Sequence, residues 1–196
     1  MKSLFIINPR SGANRGQIIS DEINNIITLR KIEGEIEILS RDRTHEILAR
    51  AHNFDRLIIA GGDGTISSVI NSLLMHECWS KIKDNAAWGI GIIPLGTGND
   101  LARELNLNFL YQNHSLLEYL EKLCTNALIE YDAWQVRTEG CVSFFINYIS
   151  IGFDGAVIET FHSIRPQKSS ATNLIGKFLN RFLYGCLLYT SDAADE

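Results

Sequence analysis

The chain has 196 residues, 45% of them hydrophobic and 21% charged, an ordinary globular composition with room for one full domain and part of a second. Its formal net charge of −5 argues against a nucleic-acid partner, which would need a basic face, but leaves room for a membrane-surface substrate met through a local basic patch. Cys78, Cys124, Cys141 and Cys186 are widely spaced with no C-x-x-C pair, which argues against a disulfide framework or zinc site and fits a reducing cytosol.

The apolar stretch at residues 4–7 is too short for a signal-peptide core. No run of 18 apolar residues follows, so no transmembrane segment is expected. Four short apolar runs, at residues 4–7, 36–39, 57–60 and 90–93, read as strands. Each ends in turn chemistry: Asn8-Pro9, Ser40 to Asp42, Gly61-Gly62 and Pro94 to Gly96. Between them, Ile19, Ile23, Ile26 and Ile27 recur at helical spacing, as do Ile66, Val69, Ile70, Leu73 and Leu74. Strand alternating with helix predicts βαβ units and a parallel sheet.

A further helix is expected from Asn99 to Leu105, and an amphipathic one over residues 116–123. After about residue 128 the rhythm changes. Residues 127–136 and 141–151 read as consecutive strands joined at Glu139-Gly140, an antiparallel pairing. This places a domain boundary near Leu128. The expected organisation is an α/β domain at 1–128, the start of a β-rich domain at 129–184, and a foreign or disordered tail at 185–196.

The sharpest chemical signal is Gly61-Gly62-Asp63-Gly64-Thr65, between a strand and a helix. A glycine-rich turn of this kind leaves backbone N–H groups free and lets a phosphate approach without meeting a Cβ. The helix N-terminus adds about half a positive charge. Asp63 suits such a site only as a Mg²⁺ partner or a proton acceptor. Asp-Gly is also a common hairpin turn, but the helical period that follows excludes that reading. No G-x-x-x-x-G-K-[ST] is present, and Ser67 stands where G-x-G-x-x-G needs its third glycine. Two more turns, Asn8-Pro9-Arg10-Ser11-Gly12 and Pro94 to Asp100, close parallel strands at the sheet edge where α/β folds bind ligands. Together the three describe a nucleotide pocket without a P-loop lysine.

In this order and on these elements, NPRSG, GGDGT and PLGTGNDLAR resemble the catalytic domain of the diacylglycerol kinase family, a domain shared by sphingosine, ceramide and bacterial lipid kinases. GGDGT also occurs in NAD kinases and resembles the phosphofructokinase loop; PLGTGNDLAR is the specific part. Asn147-Tyr148, Ser150 to Asp154, Phe161-His162 and Arg165 are similar to the start of that family's second domain. The likeness spans about residues 3–184.

The resemblance implies an α/β fold with a helix-flanked parallel sheet, NAD kinase- and phosphofructokinase-like, followed by an incomplete antiparallel β domain. It implies an ATP- and Mg²⁺-dependent lipid kinase that phosphorylates the hydroxyl of diacylglycerol or a related lipid. Such an enzyme would be cytoplasmic and peripheral at the membrane, with a lipid-surface substrate, no nucleic-acid partner and a homodimer left open. Carried over by position, Asn8, Pro9, Arg10, Ser11, Gly12, Gly61, Gly62, Asp63, Gly64, Thr65, Ile66 and Ser67 would contact the ATP phosphates, and Thr97 would line the same pocket. Either Ser40 or Thr44 would fill the place of a family threonine after the second strand. On the sphingosine branch the resemblance implies that Asp63 would be the base or metal partner; on the bacterial branch the base would be an acidic residue late in the second domain, beyond this chain.

The alternatives are an NAD kinase-like or sugar kinase using the same GGDGT loop, or a catalytically dead nucleotide-binding fragment. Asp154 reads equally as a helix N-cap or as a head-group or metal contact. The five histidines show no metal spacing, and Trp134, Phe144, Phe145 and Tyr148 alternate as strand core residues do.

Overall fold

The computed structural model describes residues 1–29, 31–147 and 149. Within it, β1 (Lys2–Ile7), β2 (Glu33–Ile38), β3 (Arg56–Gly61) and β4 (Gly89–Pro94) form a parallel sheet in the order β2-β1-β3-β4. The central strands β1 and β3 are buried along nearly their whole length, as expected when helices cover both faces.

Strand alternation divides their side chains between two cores. Leu4, Ile6, Leu57 and Ile59 pack with α2 (Thr44–Ala49), α3 (Asp63–Met75) and α5 (Asp100–Glu104). Phe5, Ile7, Ile58 and Ala60 pack with α1 (Ser11–Thr28) and α7 (Leu116–Thr125). Two further short helices, α4 (Trp79–Ile82) and α6 (Leu107–Asn113), complete the α-helices of the described residues.

The edge strands carry their own signatures. Glu33, Glu35 and Glu37 alternate along β2, where Glu35 pairs with Lys2 at 2.7 Å and Glu37 with Arg50 at 2.8 Å. On the opposite edge, Gly89 and Leu95 donate their N–H groups to the carbonyls of Asp55 and Gly61. The intervening even-numbered residues therefore face outward, and Pro94, which has no N–H, occupies one of those outward positions.

β5 (Trp134–Thr138) and β6 (Cys141–Phe145) form an antiparallel hairpin closed at Gly140, whose φ is +78°. A lone hairpin is marginal in water. This one leans on α3, where the Phe144 N–H donates to Asn71 Oδ1 at 2.9 Å. The hairpin thus falls within the compact unit Met1–Asn147. Both predicted strands are shorter than expected: residues 127–133 are exposed and lie outside β5, and β6 ends at Phe145. Trp134, predicted as strand core, is 61% exposed. The expectations for Asp154, Phe161, His162, Arg165 and the tail at 185–196 lie outside the described residues. Among the described residues no helix is long and apolar enough to cross a membrane.

Candidate functional site

β1 and β3 are neighbours, yet the helices that follow them lie on opposite faces of the sheet. That divergence opens a crevice at their carboxyl ends, the usual ligand position in an open α/β sheet. The three turns singled out in the sequence meet there and hold one another. Asn8 accepts the Arg10 N–H at its Oδ1 (3.0 Å) and donates through Nδ2 to Thr65 Oγ1 (2.8 Å), tying the first turn to the glycine-rich one. Its backbone N–H reaches Ala60 O at 3.0 Å. A Cβ on Gly62 would lie 3.0 Å from Gly96 Cα, so the glycine-rich turn rests on the turn after β4.

The entry into α1 is unusual. Gly12, Ala13 and Asn14 all have left-handed φ values, +62°, +57° and +71°, and a Cβ on Gly12 would lie 2.5 Å from Leu95 O. Glycine is thus required at position 12 by both conformation and contact. Gly62 has an ordinary φ of −92°, so steric contact alone, and not its dihedral, constrains that position.

Gly62 precedes the first turn of α3, and the Thr65 and Ile66 N–H groups both turn back to its carbonyl, at 2.9 and 3.0 Å. The donors at Asp63 and Gly64 come earlier than any intrahelical acceptor. Gly64 is exposed, and a Cβ there would meet nothing within 4 Å. The free donors and the positive helix end therefore open onto unobstructed space.

Among the described residues Asp63 Oδ1 is buried without a hydrogen-bond partner, and so is Asn99 Oδ1. Asn99 sits in the left-handed region (φ +54°), 7% exposed, with Nδ2 donating to Gly96 O at 3.0 Å. At Gly98, an added Cβ would lie 3.1 Å from Asp63 Oδ2 and 3.4 Å from Asp100 Oδ1, so two carboxylates flank that glycine. Hard oxygen donors with an orphaned buried carboxylate oxygen fit Mg²⁺. Among the described residues no cluster of three or more His, Cys, Asp or Glu could hold a metal; Mg²⁺ here would depend on phosphate and water for its remaining ligands.

The other predicted site residues are placed as follows. Pro9 and Ser11 lie half-buried in the first turn, and Arg10 is exposed beside them. Thr97 is exposed at the tip of the turn after β4, while Gly61 is buried and Ser67 half-buried on α3. Ile66 is fully buried in the core, so its side chain faces packing and not the crevice. Ser40 lies beyond β2, next to the end of β1 through the Leu39 N–H to Ile7 O bond of 2.8 Å. Thr44 Oγ1 donates to Ser40 O at 2.8 Å, which closes a local turn. Asn99 and Asp100 were inside the quoted PLGTGNDLAR motif, but only their folded positions single them out.

The diacylglycerol kinase catalytic domain profile matches residues 2–136. The chain belongs to that family. It is 28% identical over 202 residues to diacylglycerol kinase zeta of Rattus norvegicus, covering 94% of this chain and 21% of that protein. With diacylglycerol kinase 2 of Arabidopsis thaliana it is 26% identical over 195 residues, 92% and 26% of the two. The chain thus spans about a fifth to a quarter of the curated relatives it matches. A crystal structure of a diacylglycerol kinase from Bacillus anthracis str. Sterne is similar with a TM-score of 0.47 and 25% identity, over 67% of this chain and 44% of that one. Within this diacylglycerol kinase family domain, the three turns form the polar end of the sheet and hold the candidate site described above.

Proposed function

We propose that this chain supplies the nucleotide-binding half of an ATP-dependent lipid kinase that phosphorylates the primary hydroxyl of diacylglycerol or a related lipid, giving phosphatidic acid. The observation that carries this reading is the Asp63 carboxylate, with one oxygen buried and partnerless among the described residues where three hydrogen-bonded turns converge. A buried carboxylate oxygen without a partner is costly, and a ligand that satisfies it is the physical reason to keep it.

In this reading the Asp63 and Gly64 N–H groups and the α3 N-terminus bind the phosphates. Asn8 and Thr65 hold the turns in register, and Gly12 lets the first turn close against Leu95. Mg²⁺, when bound beside Asp63 and Asp100, would neutralise charge on the phosphates. As the bond from the γ-phosphorus to its bridging oxygen breaks and the bond to the lipid oxygen forms, the hydroxyl proton passes to the Asp63 carboxylate. The protein's membrane-surface, cytoplasmic role follows from a lipid acceptor and belongs to the same proposal.

Asp63→Asn tests it. The substitution keeps the shape and removes the charge, so MgATP should still bind while phosphate transfer to dioctanoylglycerol falls steeply. Full retention of transfer would remove Asp63 from the chemistry. Phosphorylation of NAD with none of lipid would replace the acceptor class.

A further inference from the structure

A cavity of about 570 Å³ lies along the outer edge of β4, away from the three turns. Its walls are aliphatic and aromatic, drawn from β4, α3 to α7 and the exposed stretch 126–133. The charged side chains that line it, Lys122 and Asp132, and the amide of Asn126 stand at half-buried or exposed positions. An apolar chamber of this size with a polar rim is the usual form of a small-molecule site.

Two features say what it would hold. The first is its link to the phosphate turns. Asp100 flanks Gly98 at the polar site, the next residue, Leu101, lines the cavity, and Leu105 lines it one turn further along. At 1.5 Å per residue, the span from Asp100 to Leu105 is about 7.5 Å, so a single amphiphile could reach both. The second is the strand edge. Ile90 and Ile92 line the cavity and point their peptide groups outward from β3. The Ile92 carbonyl takes the Tyr119 hydroxyl, which burial keeps protonated by pushing its pKa up. Among the described residues the N–H groups of Ile90 and Ile92 have no partner, and they stand beside otherwise apolar walls. A pure hydrocarbon would leave them unsatisfied, whereas an ester carbonyl would accept from them.

We propose that this cavity binds an ester-linked acyl chain of the lipid acceptor. The inference rests on the lipid-kinase reading above, and it assigns the tail of that acceptor to this side of the domain. The Ile90 and Ile92 amides would receive ester carbonyls, while Leu101, Leu105 and the tryptophans Trp79 and Trp88 would cover the chain.

Of the protein's three tryptophans, Trp79 and Trp88 line the cavity and Trp134 lies exposed on β5. Trp134→Phe therefore leaves emission that reports on the cavity alone. Titrating that variant with short-chain diacylglycerol brominated on its acyl chains should give saturable quenching. Affinity should rise roughly tenfold for every two methylenes added, until the cavity is full. A brominated octane without the ester should bind at least tenfold more weakly; equal binding would overturn the ester contact. Leu105→Glu should weaken the brominated lipid at least tenfold, with MgATP titration unchanged as the check on folding.

No saturable quenching in a protein that binds MgATP would overturn the inference, and would leave the cavity to another occupant such as a polypeptide strand on the β4 edge. Quenching without any nucleotide binding would support the acyl site while sinking the kinase reading, so the two failures are distinct.

Discussion

The two ends of β4 present opposite surfaces. Where the strand leaves the sheet at Pro94, the chain turns through small residues whose backbone and carboxylate groups face the crevice. Along its outer edge, Ile90 and Ile92 look into an apolar chamber. The first region is assembled from contiguous motifs and joined by short hydrogen bonds. The second draws on residues from Ile70 to Ile146, far apart in sequence, held by packing and by the bond from the Tyr119 hydroxyl to the Ile92 carbonyl. Polar recognition can be written in five consecutive residues because it uses backbone N–H groups, which come in order along a turn. An apolar chamber has no such order: any large side chain that the fold brings there will serve.

The largest effect that separates the regions should come from the glycine-rich turn. Gly64→Val puts a side chain into open space, so melting should hardly change, yet nucleotide binding should fall at least a hundredfold. Loss of two charge-assisted hydrogen bonds at about 1.5–3 kcal/mol each accounts for that. Gly62→Val should lose binding and stability together, because its Cβ meets Gly96 backbone. Titration with MgATP beside thermal melts separates the two. Equal binding by Gly64→Val and the parent would remove the phosphates from this turn. Neither substitution should alter quenching by brominated lipid at Trp79 and Trp88.

Asn8→Ala should have the next largest effect. It removes the 2.8 Å tie to Thr65 and the acceptor of the Arg10 N–H, leaving the first two turns in contact but unjoined. Nucleotide affinity should drop about tenfold, as expected for hydrogen bonds worth about 1 kcal/mol each. An unchanged affinity would mean that the turns keep their positions through Gly12 and Gly62 alone.

The smallest effect concerns α7, a wall of the apolar chamber. Ser115 and Glu118 form a capping box: the Glu118 N–H donates to Ser115 Oγ (3.3 Å), and the Ser115 N–H donates to Glu118 Oε2 (2.8 Å). Ser115→Ala should destabilise the fold by about 1 kcal/mol and leave nucleotide binding intact. The Ser115 hydroxyl first, and its N–H second, hold the Glu118 carboxyl below its ordinary pKa. A depressed folded-state pKa contributes stability that is complete above the ordinary carboxylate range and fades as pH falls through the lowered value. The gap between parent and Ser115→Ala should therefore narrow in acid melts. A constant gap from neutral to acid pH would show that Glu118 is not coupled to the cap.

How much of this was legible varied with the physics. Alternating apolar runs and helical periods specify the parallel sheet, since burial on both faces demands such runs in β1 and β3. The hairpin turn at Glu139-Gly140 was equally readable, because φ at Gly140 needs a residue without a Cβ. The reading of 127–133 as strand failed: that stretch is apolar enough, but pairs with no strand among the described residues and lines the chamber instead. Trp134 failed for a related reason. Alternation says that two faces differ, and a two-stranded hairpin has too little cover to bury both. Ile66 sat inside the right motif, yet its side chain turns to the core because α3 must bury one face.

By itself the sequence determined the order of strands and helices, the three turns at their ends, and the family to which those turns point. Each is local, encoded by spacing, by glycine where a Cβ has no room, and by a carboxylate among backbone N–H donors. Only the tertiary structure decided that Asn8 joins Thr65 across 57 positions, that Asp63 and Asp100 flank one glycine, and that tryptophans nine positions apart face one chamber with α5 and α7. Those relations depend on which faces of distant elements meet when the sheet buries itself, and no local pattern carries that information.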